Sequence, residues 1–180
     1  MQNNERIQEI LKTLNKRQEE NRLNYYQPYK FQKRFHEVGG EANQRLLMAA
    51  NRVGKSYVGA MEMSAHLTGL YPKWWKGKRF DKPIRAWVCG ASNETTRDIS
   101  QKELFGQPDN PRERGKGSIP KHLIGETTRK PGVPNAHSSV LVKHNTGGWS
   151  RVAFKAYEMG AEKFMGESLD LIWLDEEPPQ

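Results

Sequence analysis

Two stretches decide how this chain reads: Ala49-Ala50-Asn51-Arg52-Val53-Gly54-Lys55-Ser56 and, far downstream, Leu171-Ile172-Trp173-Leu174-Asp175-Glu176-Glu177. The first follows the apolar run Leu46-Leu47-Met48 and opens the amphipathic stretch Tyr57 to Leu70. That is the strand–loop–helix setting of a phosphate-binding loop, in which backbone N–H groups and a helix N-terminus face an anion. Gly54 permits close backbone approach, Lys55 is placed to reach the β- and γ-phosphates, and the Ser56 hydroxyl is placed to ligate magnesium. Ala50, Asn51, Arg52 and Val53 complete the nucleotide-binding loop. The usual pattern begins with Gly, where this chain has Ala49, so the match is imperfect at its first position. The second stretch puts carboxylates beyond an apolar strand. Asp175 is read as a magnesium ligand and Glu176 as the group that orients or deprotonates water; Glu177 receives no role. Either motif alone is weak, and together they read as a site that hydrolyses a nucleotide.

Arg52 lies inside the loop, two residues before Gly54. Its fixed charge can neutralise a γ-phosphate in cis, or pair with an acidic residue when nucleotide is absent. Catalytic candidates are therefore Glu176, Arg52 and Lys55. Upstream, the Gln32 amide presents a donor beside an acceptor, the pattern that an adenine edge matches. Tyr25, Tyr26 or Tyr29 can stack on a base, or can simply staple a helix to the sheet.

Composition bounds the rest. The 180 residues suit one domain or part of one. Lys and Arg outnumber Asp and Glu by 29 to 21, a net +8, which suits a polyanionic partner such as nucleic acid. No apolar run approaches the roughly 20 residues that span a bilayer, and the polar start is no signal peptide, so a cytoplasmic location is expected. The single cysteine, Cys89, is read as a packing residue. The histidines 36, 66, 122, 137 and 144 show no metal-ligand spacing.

Residues 3–22 carry Ile7, Ile10, Leu11 and Leu14 at helical spacing, an amphipathic helix expected to pack onto this domain, the alternative being another subunit. Pro28 suits the first turn of a second helix, closed near Val38 by Gly39-Gly40. Strand-like runs follow at Ile84 to Cys89, Ser139 to Lys143, Arg151 to Tyr157 and Leu169 to Leu174, with a helix over Glu94 to Phe105 capped by Ser92 or Asn93. Between Gly106 and His137, five prolines and five glycines predict long surface excursions. The alternation indicates an α/β domain with a mainly parallel sheet flanked by helices.

The loop Asn51 to Ser56, the Gln32 segment and the stretch Phe154-Lys155-Ala156-Tyr157-Glu158-Met159-Gly160-Ala161-Glu162-Lys163-Phe164-Met165-Gly166, leading into Leu171 to Pro178, together resemble the large terminase subunit of tailed bacteriophages over about residues 25–177. The resemblance implies a P-loop ATPase of the additional-strand, catalytic-glutamate class, with ATP and magnesium as cofactors, that drives double-stranded DNA into a procapsid. It implies a ring, pentameric, on the capsid portal protein, a small terminase subunit that chooses the DNA, and action in the host cytoplasm with transient residence on the procapsid. It further implies a coupling motif and a magnesium-dependent nuclease domain of ribonuclease H-like fold beyond the Asp-Glu strand. The chain is accordingly read as an N-terminal appendage, 1–24, and a partial ATPase domain, 25–180, incomplete at its C-terminal end. In this class a further strand lies between the Asp-Glu strand and the phosphate-loop strand, so the chain alone is expected to have an open, poorly stable sheet. Competing readings are a helicase-like nucleic-acid ATPase and a catalytically silent binding module. Basic residues around Trp74-Trp75 (Lys73, Lys76, Lys78, Arg79, Lys82, Arg85) and in the Pro/Gly region (Arg112, Arg114, Lys116, Lys121, Arg129, Lys130) are candidates for DNA phosphates or are simply solvated.

Overall fold

The computed structural model describes residues 2–176. Its centre is a five-stranded sheet of order β2-β3-β4-β1-β5, made of β1 (Arg85–Gly90), β2 (Ile124–Arg129), β3 (His137–Lys143), β4 (Trp149–Ala156) and β5 (Leu171–Leu174). β1 pairs in parallel with both β4 and β5, whereas β2, β3 and β4 form an antiparallel meander. The sheet is therefore mixed rather than mainly parallel. Its parallel half carries the site, and its antiparallel half is built from tight connections such as Thr146-Gly147-Gly148 between β3 and β4.

The helix α3 (Lys55–Thr68) covers one face. Its Ala60, Met63 and Leu67 pack with Ala86 and Val88 of β1, Val152 and Phe154 of β4, and Val140 and Val142 of β3. The period-2 alternation of these strands sends those side chains to the same side. A second helical stretch leaves the end of β1, with Ser92 as its N-cap: the Ser92 hydroxyl accepts the Thr95 N–H at 3.0 Å. It runs through α4 (Asn93–Thr95), a π segment (Thr96–Gln101) and α5 (Lys102–Phe105).

Three further expectations are corrected here. Leu46-Leu47-Met48 forms no strand: Leu46 and Met48 are 81% and 82% exposed. Residues 46–48 pair with none of the five strands, and the segment is flanked instead by the side-chain contacts of Arg45 and Lys55. The 106–137 region is not all surface: Gly117, Ser118, Ile119 and Pro120 are buried, with Ile119 in the core and Ser118 Oγ 2.6 Å from Ser64 Oγ. The same region also holds β2, whose Gly and Thr residues suit an outer strand. The apolar stripe of α1 (Gln2–Glu20) is exposed rather than packed on the domain. That helix is tied at its C-terminal end, where Glu19 meets Lys116 at 3.8 Å and the chain turns to bury Leu23. Trp75 is buried and Trp74 half-buried against His36, so the flanking lysines surround a structural aromatic cluster.

That cluster surrounds a buried carboxylate. Glu62 of α3 receives both guanidinium nitrogens of Arg45, the Nη1 contact being 3.1 Å, and His36 Nδ1 at 2.8 Å, with His66 Nε2 at 3.4 Å. An ionised carboxylate only accepts, so His36 Nδ1 carries a proton, and its other ring nitrogen meets the Tyr26 phenol at 3.1 Å. Arg45 Nη1 also donates to Phe35 O at 2.8 Å, and its guanidinium lies over the Phe35 ring. Arg45 thereby pins the segment that leads into the loop before α3, together with α2 (Lys30–Val38), to the middle of α3.

Burial alone would raise the pKa of Glu62, but the bonds from His36, His66 and Arg45 overcome it and hold the carboxyl far below its ordinary 4.5. A depressed folded-state value contributes stability that is complete above 4.5 and lost as the pH falls below it. Thermal melts from neutral pH down to about pH 3 should therefore show a steep loss of stability. Glu62→Gln should flatten that slope and cost about 3 kcal/mol at neutral pH, since it leaves Arg45 without a counter-charge.

Candidate active site

The loop between the Arg45 anchor and α3 turns through two left-handed residues, Arg52 (φ 63°) and Gly54 (φ 85°). Gly54 is the residue before the first turn of α3 and has no side chain to cap it. The first N–H groups of that helix are thus left for an external acceptor, and the left-handed-to-helical step at Gly54–Lys55 turns successive N–H groups toward one side. Lys55 is folded back: Nζ donates to the carbonyls of Ala49 and Ala50, each at 2.9 Å. Ala50, Asn51 and Arg52 are exposed, and Val53, Gly54, Lys55 and Ser56 are half-buried. Arg52 makes no ion pair among the described residues, so the acidic partner considered for it is not found there.

The two sequence motifs meet. Ser56 Oγ lies 3.3 and 3.4 Å from the Asp175 carboxylate oxygens, across 119 residues of chain. What permits the approach is Gly59, one turn further along α3: a Cβ there would stand 2.5 Å from the Trp173 indole of β5. Only a residue without a side chain lets the helix lie against that ring. The Asp175 N–H is anchored on Cys89 O at 2.8 Å, continuing the β1–β5 ladder up to the carboxylate.

Burial and then the neighbouring charge of Glu176 push the Asp175 carboxyl above its ordinary value, against the opposing effect of Ser56 and Lys55. A partly buried carboxylate with an exposed one beside it is the electrostatic condition that a bound cation relieves. Hydroxyl and carboxylate oxygens are the donors a hard divalent ion prefers, so Ser56 and Asp175 fit magnesium. Glu176 is exposed and adopts φ 67°, uncommon for a non-glycine residue. Its carbonyl accepts the Tyr157 phenol at 3.2 Å. Burial, with the charges of Cys89, Asp175 and Glu176 behind it, pushes that phenol up to about 12, so it stays a donor. Glu177 lies outside the described residues.

Gln32 is buried beside the loop. Its Oε1 accepts the Tyr29 N–H at 2.9 Å, and its amide nitrogen is 3.3 Å from where a Cβ on Gly54 would stand. Tyr26 is committed to His36 and to the Tyr57 and Trp74 rings, which is the stapling role; Tyr25 and Tyr29 are exposed. Gly59, Tyr157 and the Arg45–Glu62 pair were not singled out from the sequence. An isolated glycine inside an apolar helical pattern was the available signal for Gly59.

Residues 46–180 match the family described as "Terminase large subunit, T4likevirus-type, N-terminal". The chain belongs to the terminase large-subunit family. Among curated relatives, the terminase large subunit of Salmonella phage P22 is 39% identical over 171 residues, covering 86% of this chain and 34% of that protein. The chain thus spans about a third of that relative. Among solved structures, the Thermus phage P74-26 large terminase ATPase domain superimposes with a TM-score of 0.55 at 17% identity, covering 86% of this terminase chain and 55% of that one. The fold is accordingly that of a P-loop NTPase. No helix among the described residues is long and apolar enough to cross a membrane.

The Gly59–Trp173 contact is open to a double-mutant cycle. In urea denaturation Gly59→Ala should destabilise the terminase by about 1–3 kcal/mol through overpacking. Trp173→Leu in the same chain should recover part of that loss; a fully additive pair would show that the contact does not set the spacing.

Proposed function

We propose that this chain is the ATPase motor region of the terminase, hydrolysing ATP with magnesium to move double-stranded DNA into a procapsid. The observation that carries the reading is the meeting of Ser56 with Asp175 beside the uncapped start of α3. In this reading the N–H groups of Gly54, Lys55 and Ser56 bind phosphate oxygens, and Lys55 exchanges two backbone carbonyls for the β- and γ-phosphates. Phosphate oxygens are the stronger acceptors for an ammonium group. Magnesium, held by Ser56 and Asp175, would offset negative charge on the phosphates. Glu176, its backbone held by Tyr157, orients or deprotonates the attacking water. Arg52, exposed and left-handed, is free to turn its charge toward the γ-phosphate. The Gln32 amide, beside the loop, reads the adenine edge.

The exposed residues Lys73, Lys76, Lys78, Arg79, Lys82 and Arg85, with Arg112, Arg114, Lys121 and Arg129, contact DNA phosphates without reading sequence. Lys116 is already paired with Glu113 at 2.9 Å, and Lys130 is half-buried on the Met159 sulfur, so both contribute less. The partners in this reading are the portal protein, the small terminase subunit and further copies of the chain in a pentameric ring, acting in the host cytoplasm and transiently on the procapsid.

Four measurements test this. In the full chain, Lys55→Ala should abolish nucleotide binding or turnover. Glu176→Gln should keep binding and lower kcat by about a hundredfold or more, and Tyr157→Phe should lower kcat about five- to tenfold; unchanged turnover in either Lys55→Ala or Glu176→Gln refutes the assignments. DNA affinity should fall steeply with salt, and an affinity indifferent to salt excludes the phosphate contacts.

A further inference from the structure

The helix α1 turns a polar side toward its own domain. Asn15, Gln18, Glu19 and Arg22 recur at i, i+3, i+4 and i+7, so they share one face, and with Tyr25 and Tyr57 they line a cavity of about 340 Å³. The apolar stripe of Ile7, Ile10, Leu11 and Leu14 stays in solvent. A helix that leaves its apolar side outside, and meets the domain through carboxamides and charges across a void, is not placed there by packing. The lining suits a small polar ligand with a flat ring instead. It offers two tyrosine rings, two carboxamides that each donate and accept, and one guanidinium, around a volume within the roughly 300–1,000 Å³ of small-molecule sites. Its one carboxylate, Glu19, is offset by Lys116 at 3.8 Å.

The cavity adjoins the start of α3, where Tyr57 directly follows Ser56. Successive residues of an α-helix turn by about 100°. While Ser56 faces Asp175 and Gly59 faces Trp173, Tyr57 therefore points away from β5 and into the cavity. A Cβ on Gly54 would stand 3.3 Å from the Gln32 amide nitrogen and 3.9 Å from the Tyr57 Cβ, so glycine leaves the gap between those side chains unfilled. A triphosphate whose γ end meets Ser56 and Asp175 has its nucleoside end on the Tyr57 side. We propose that the cavity between α1 and α3 holds the base and sugar of the nucleotide. Tyr25 and Tyr57 lie against the ring, and the Asn15 and Gln18 carboxamides bind the polar groups of the base and sugar. Arg22, in no ion pair among the described residues, adds positive charge toward the α-phosphate. This rests on the ATP reading above and gives α1 a place in it: the helix closes over the nucleoside from a side that neither sequence motif reaches.

Isothermal titration calorimetry on the full chain tests this with two probes in magnesium: ATP, and inorganic tripolyphosphate, which carries the phosphates without a nucleoside. The unsubstituted protein should bind ATP at least about tenfold more tightly. Asn15→Ala combined with Gln18→Ala falls at exposed helix positions, where alanine is well tolerated. The pair should weaken ATP binding about tenfold, as the loss of two hydrogen bonds dictates, and leave tripolyphosphate binding unchanged. Tyr25→Ala should weaken ATP about five- to tenfold with the same selectivity. If Tyr25→Ala does not melt cooperatively, the α1 pair decides. ATP affinity unchanged in the α1 pair, equal weakening of both probes, or equal binding of the two probes by the unsubstituted protein overturns the nucleoside pocket and leaves the phosphate site standing. An unsubstituted protein that binds neither probe overturns the nucleotide reading itself, and the pocket with it.

Discussion

The site depends on how closely one helix can lie against one strand. Gly59 removes the side chain that would stand between α3 and the Trp173 ring, and with that gap closed the first turn of α3 reaches the end of β5. Every chemical group in the site inherits its position from this contact. Lys55 and Ser56 are carried by the helix, and Asp175 and Glu176 by the strand. Ser56 and Asp175 are short side chains that span only a few ångströms, so a helix standing off by the thickness of a methyl group would separate them. Glycine in a helix interior costs about 1 kcal/mol against alanine, a loss that the fold accepts here for spacing.

A second constraint acts on the other side of the loop. In a sheet, the strand before a phosphate loop is held by its ladder, and residues 46–48 have none. What holds the approach to the loop is charge. The Arg45 fork closes on buried Glu62, while Lys55 clasps the carbonyls of Ala49 and Ala50. The loop is fastened at both ends by cations, one paired with a buried carboxylate and one on two neutral backbone carbonyls. That difference separates structure from function: Arg45 cannot leave without stranding a buried carboxylate, and Lys55 can leave at little cost.

Much of this was legible in the sequence. The helix that starts after Gly54, the strand ahead of Asp175, the Ser92 cap and the strands around Val88, Val140, Val152 and Ile172 all follow from local patterns that carry their own physical cause. Other features were not legible, because they depend on what lies opposite. Leu46 to Met48 has strand composition, but a strand exists only with a partner. Ile119 is one apolar residue in a Pro/Gly region, and nothing local shows that it reaches the core. Ile7, Ile10, Leu11 and Leu14 announce an apolar face without saying what covers it. Glu62, His36 and His66 stand at ordinary positions in helices, and only the fold brings them onto one carboxylate with Arg45. The antiparallel half of the sheet escaped for the same reason: strand direction is set by connections, and β2 carries a polar composition that reads as loop.

Cys89 gives the parallel half of the sheet a native probe. It is fully buried on β1, between β4 and β5, and burial pushes its thiol up to about 11, against the opposing pull of Lys155. A thiol in that condition is neutral at working pH and shielded from reagents. It becomes reactive only when β5 or β4 lifts from β1, so the rate at which an alkylating reagent finds it is a clock for opening of the strands that carry the site. Because the sequence has no other cysteine, the signal is unambiguous without engineering. Nucleotide, divalent ions and partner proteins can then be ranked by how far each slows that clock.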